Sequence, residues 1–186
     1  MSPTIATMGR RCPLLAIALV ALACAPAQAA KRCPGANDVP FPQVSDADVS
    51  ALECVVNRER ERRGLRQLDR TRSLDRAAAR HSSDMARNDY FDHRSPGGST
   101  PADRARNAGY LSGANSWRVG ENLAWGTGPL ATPNSIVDAW LKSPGHRRLM
   151  LSRGFADFGL GIAPGAPRAG VSGGATYTML MGRRSG

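Results

Sequence analysis

The chain has 186 residues, 41% of them hydrophobic and 22% charged, with three tryptophans and four phenylalanines. That fits one globular domain with a real core and excludes a chain disordered throughout. The formal charge is +10, and arginine supplies 23 of the 25 basic residues. These arginines are interleaved with acids, as in Arg58-Glu59-Arg60-Glu61-Arg62-Arg63, so no clean basic stripe forms and nucleic acid is not an expected partner.

Residues 1–29 read as a signal peptide. Arg10 and Arg11 form a positive start, Pro13 to Cys24 is a short apolar stretch, and Ala27-Gln28-Ala29 is an A-x-A cleavage site. Leu22-Ala23-Cys24 offers an alternative, a lipoprotein anchored at Cys24. No long apolar run follows residue 30, so no transmembrane segment is expected in the mature chain. Export would leave Cys33 and Cys54 as an even pair in an oxidising compartment. A Cys33–Cys54 disulfide is preferred there to two free thiols.

Residues 30–44 carry three prolines without periodicity and read as an extended lead-in; the domain is placed at 45–186. Ser45 opens a first helix with Asp48 as its capping-box partner, and Val49, Leu52, Val55 and Val56 give the helical period until Gly64. A second helix is expected after Ser73, with Leu74, Ala77, Ala78, His81 and Met85 on one inward face. His81 is read as a core histidine. Thr100-Pro101-Ala102-Asp103 starts a short third helix that Gly109 ends. Val119 to Trp125 reads as extended. Thr132-Pro133 starts a helix carrying Trp140, and Ser143-Pro144 ends it and caps a short turn bearing His146. Phe158-Gly-Leu160-Gly-Ile162 and Ala175 to Met181 read as strands joined by a long Gly/Pro-rich hairpin loop. Helices before and between few strands imply α/β/α layering on a small, mainly antiparallel sheet.

Three residues stand out chemically. His93 and His146 sit on turn-defined loops, held yet reachable. Glu121 interrupts an apolar run, where a charge must find partners or shift its pKa. No H-E-x-x-H or C-x-x-C spacing specifies a metal.

Taken in order, Phe91-Asp92-His93-Arg94-Ser95-Pro96, Gly120-Glu121-Asn122-Leu123-Ala124, Trp140 with Ser143-Pro144-Gly145-His146-Arg147, and Gly159-Leu160-Gly161 resemble the CAP superfamily of cysteine-rich secretory, antigen 5 and pathogenesis-related proteins. Cys54-Val-Val-Asn-Arg-Glu-Arg60 through Gly64, Leu65 and Leu68 resembles its bacterial SCP-type branch. The likeness spans about Ala51 to Arg183. It implies an α-β-α sandwich with a cleft lined by two histidines and two acids. His93, Glu121 and His146 take three of those places; the fourth, three residues past Trp140, is Ser143 here.

The expected function is therefore a secreted protein whose cleft of His93, Glu121, Ser143 and His146 binds a divalent metal or a small or lipid ligand, with no established turnover. Zn²⁺ would be held by His93 and His146, with Glu121 as third ligand or as the group orienting an imidazole. One alternative is a hydrolase, metal-assisted or using Ser143, His146 and Glu121, although an N-cap role would occupy the Ser143 hydroxyl. Another is an envelope-binding module using the arginine-rich surface. A monomer is expected.

Overall fold

The computed structural model describes residues 32–186. The signal peptide, its cleavage site and Cys24 lie outside them. The elements are α1 (Asp46–Glu61), β1 (Asp69–Arg70), α2 (Arg72–Arg87), α3 (Pro101–Asn107), β2 (Ser116–Gly126), α4 (Pro133–Lys142), α5 (Pro144–Met150), β3 (Asp157–Pro164) and β4 (Ala175–Ser185). The sheet order is β1-β3-β4-β2. Among the described residues only the two-residue β1 runs parallel to its neighbour; the β3–β4 and β4–β2 pairs are antiparallel.

Local sequence explains most boundaries. Ser45 and Asp48 form the reciprocal capping box of α1, and Thr100 and Asp103 that of α3. Thr132 accepts from Ser135 N–H at the start of α4. Helix α2 starts earlier than expected, after Thr71, whose side chain makes no cap. Thr71 N–H instead donates to Phe158 O at 2.9 Å, so β1 leads directly into the helix. Asp75 in its first turn accepts from Leu160 N–H at 2.9 Å, tying α2 to β3.

β2 and β4 are both longer than their apolar cores suggest. They pair from Gly126↔Ala175 to Ser116↔Ser185, and backbone pairing carries them through polar ends that periodicity does not mark.

The sheet has a helix layer on each face. Phe158, Leu160, Ile162, Tyr177, Met179 and Met181 face α1, α4 and α5 in the main core. Leu180 joins Leu74, Ala77, Ala78, Ala105 and Tyr110 in a smaller core on the α2–α3 side. On that side β3 presents Gly159 and Gly161. A Cβ at either would collide with α2 backbone at Leu74 or Ala78, so α2 lies directly on the strand.

Cys33 and Cys54 form a disulfide with Cα atoms 5.6 Å apart. The lead-in is less extended than expected. It turns at Cys33–Asp38, buries Ala36, and receives Asn134 N–H on Ala36 O. Among the described residues no helix is long and apolar enough to cross a membrane.

Candidate functional site

Strand alternation sets the site. Glu121 pairs with Leu180, whose side chain lies in the α2–α3 core, so Glu121 points to that face. Asn122 therefore points to the α5 face, where its Nδ2 donates to His146 O at 3.0 Å. β2 is one of the two edge strands; the His93 ring reaches it on the α2–α3 face and the His146 carbonyl on the α5 face.

Glu121 is 1% exposed at its side chain. Arg104, on α3 and only 9% exposed, donates through Nη2 to both carboxylate oxygens at 3.0 and 2.8 Å. His93 Nδ1–H donates to Oε1 at 2.8 Å. A buried carboxylate is tolerable on these terms, because a cation and several donors replace its water. Arg104 also donates to the carbonyls of His93 and Ser99 at 2.8 and 2.9 Å, fixing the His93 loop.

The histidines are pushed in opposite directions. The Glu121 hydrogen bond raises the His93 pKa above its usual 6.5, against some opposition from burial. His93 is still 53% exposed, and its Nε2 is free of the Glu121 bond. His146 is lowered, first by burial and then by the positive charge of His93. His81 packs where expected, with its side chain fully buried and Nε2–H donating to Asp92 O at 3.1 Å. Burial lowers its pKa and disfavours the imidazolium. Its Nε2 is also 3.9 Å from Glu121 Oε1, so this core histidine forms the back wall of the site.

Sequence reasoning missed Arg104 and the role of Asn122. An arginine in the middle of the short helix α3 carries no local signal of its own. It acquires meaning only when α3 packs beside β2.

The proposed ligand sets meet this geometry unequally. Among the described residues no three His, Cys, Asp or Glu side chains are grouped to hold a metal ion. Glu121 has both oxygens hydrogen-bonded by Arg104 or His93, so here it orients the His93 imidazole. Nor is the Ser143–His146–Glu121 arrangement assembled, since the carboxylate serves His93 from the other face of β2. Ser143 ends α4 and begins α5, yet its hydroxyl makes no cap. Ser143 N–H donates to Ala139 O, and its own carbonyl accepts from Arg147 N–H. The backbone satisfies this junction without the side chain.

The model for the cysteine-rich secretory protein family, CAP, matches residues 55–178. The chain belongs to the CAP family. Two Bacillus subtilis (strain 168) proteins resemble this CAP domain. Uncharacterized protein YkwD is 37% identical over 120 residues, 62% of this chain and 44% of its own. Uncharacterized membrane protein YlbC is 32% identical over 128 residues, 68% of this chain and 34% of its own. The chain thus spans less than half the length of either relative. An extracellular SCP-domain protein from Bacillus anthracis str. Ames superposes with TM-score 0.61 at 27% identity, over 75% of this chain and 41% of that one. An outer surface protein from Borrelia burgdorferi shares the fold, with TM-score 0.61 at 23% identity over 75% and 95% of the two chains.

Proposed function

We propose that this CAP domain is an exported binding protein whose His93–His146 cleft takes up a small or lipidic molecule bearing a carboxylate, without covalent turnover. The observation that carries the reading is Glu121 held between Arg104 and His93. Arg104 offsets the carboxylate charge, while Glu121 favours the imidazolium of His93 and locks Nδ1–H inward. The outward Nε2 is then a donor, and burial disfavours the charged form of His146, a combination suited to an anionic oxygen at His93. The same charge balance works against a divalent cation, which would meet one committed carboxylate and one ring biased toward protonation.

Export is supported by the Cys33–Cys54 disulfide and by solved relatives described as extracellular and outer-surface proteins. A source for the ligand in the cell envelope follows naturally from that setting.

The test is histidine-resolved NMR with palmitate, N-acetylmuramic acid and Zn²⁺ as separate probes. A carboxylate probe should shift His93 and His146 saturably, shift His81 less, and lose its effect in His93→Ala. Saturable, proton-releasing Zn²⁺ uptake with no carboxylate response would instead establish a two-imidazole metal site. Silence from all three probes would make the network structural.

A further inference from the structure

The fold gathers arginines that the sequence disperses. In the 58–63 run, Glu59 pairs with Arg62 and Arg63 at 2.8 and 2.7 Å and lies 3.9 Å from Arg58. The opposite holds where β2 begins and β4 ends. There Arg118 is directly opposite Arg183, and Trp117 opposite Arg184. Like charges facing each other across paired strands destabilise a sheet. Among the described residues, Arg118, Arg153, Arg183 and Arg184 form no salt bridge with any acid.

Behind them lies Arg60, almost fully buried. Its guanidinium donates only to carbonyls, those of Arg66, Met150 and Ser152. Burial lowers its pKa, and the charges of Arg66 and Arg153 lower it further. Arg118 lies along the Gly154 backbone, so closely that a Cβ there would strike its Nη1. Two hollows of about 350 and 370 Å³ open here, and Arg183 lines both. Neither is lined by an acid. Trp117, 46% exposed, stands at the first, with the Arg106 guanidinium 5.8 Å from its ring centroid.

We propose that this groove is a second binding site, distinct from the histidine cleft, for a linear polyanion that carries phosphate along its chain. Three observations support the class. Arginine, the basic residue throughout the groove, presents a planar fork that matches phosphate oxygens bidentately. Arg118 and Arg183, register partners on adjacent strands, line the same hollow, where two guanidiniums can share one tetrahedral anion. The adjoining hollows accept successive charged groups of a flexible chain, whereas a flat bilayer surface meets only the rim and one exposed tryptophan. A bound phosphate also offsets the like charges that face each other at Arg118 and Arg183 across β2 and β4.

The experiment uses the full chain and fluorescently labelled linear polyphosphate, followed by anisotropy from 50 to 300 mM salt. Parallel arms contain oligothymidylate, heparin and phosphatidylglycerol vesicles. The double variant Arg118→Gln/Arg183→Gln should bind polyphosphate at least tenfold more weakly at 150 mM salt. Its slope of log K against log salt should shrink by about 1.4, roughly 0.7 for each lost contact. Arg80→Gln/Arg87→Gln, with the same charge change on α2, should alter affinity less than about twofold. Thermal melting of the groove variant should show no loss of stability, since a repulsive pair is removed. Equal weakening by the two double variants would overturn the site and leave only nonspecific charge. Vesicle binding as tight as polyphosphate binding, with the same dependence on Arg118 and Arg183, would replace the polymer with a membrane. Binding to heparin alone would overturn the phosphate class.

Discussion

Gly161 of β3 rests against the backbone of Ala78 in α2, with no room for a side chain between them. Gly161→Ala should therefore destabilise the protein by about 3 kcal/mol or more, at the upper end for overpacking, because backbone atoms cannot yield as a flexible side chain does. Gly145 in α5 faces open space at helical geometry. Gly145→Ala should stabilise by about 0.5–1 kcal/mol. Urea titrations of both variants check the opposite signs.

Arg104 and Glu121 form a buried ion pair whose value shows when one partner is removed. Arg104→Ala leaves a carboxylate uncompensated and should cost about 3–5 kcal/mol. Glu121→Gln should be costly as well. Glu121→Gln/Arg104→Ala should cost less than the sum of the two single changes, because the double variant leaves no bare charge behind. A double-mutant cycle by denaturation measures this coupling; simple additivity would contradict it.

The raised His93 pKa makes stability depend on pH with a definite sign. The folded state favours the protonated ring, so this contribution is complete below the usual 6.5 and is lost as pH rises through the higher folded value. His146 and His81 are lowered and act oppositely, losing stability as pH falls below 6.5. In NMR titrations the His93 midpoint should lie above that of His146. Glu121→Gln should move the His93 midpoint down, since the neutral amide withdraws the hydrogen bond that favours the imidazolium. An unchanged midpoint would remove Glu121 as the cause.

Reducing the disulfide should cost about 3 kcal/mol in the chain-entropy account, since it closes a loop across 21 positions. The loss should have a local signature. The Asn134 amide bonded to Ala36 O should exchange faster with solvent once the lead-in is untethered.

Short-range signals in the sequence carried far. Ser45 with Asp48 and Thr100 with Asp103 are three residues apart, and their reciprocal hydrogen bonds are local chemistry. The inward face of α2 follows from helical period alone. β1 did not show itself, because two residues in a parallel pair have no pattern to display. At the site, His93, Glu121 and His146 stood out by type and setting. Which histidine the carboxylate serves depends on the pleat of β2 and its register with Leu180. Arg104 and the facing Arg118 and Arg183 were hidden for a related reason: every arginine looks alike until tertiary contacts decide which ones acids neutralise.

The junction at Ser143 separates two kinds of constraint. The main chain alone joins α4 to α5 there, through Ala139 and Arg147. Its side chain is free to drift through evolution without disturbing the scaffold. A glutamate substituted here would add one negative charge at the α4–α5 junction and leave the backbone bonds that join the helices in place. The junction therefore tolerates changes of side-chain charge that a side-chain cap would forbid, because its hydrogen bonds are made by the main chain.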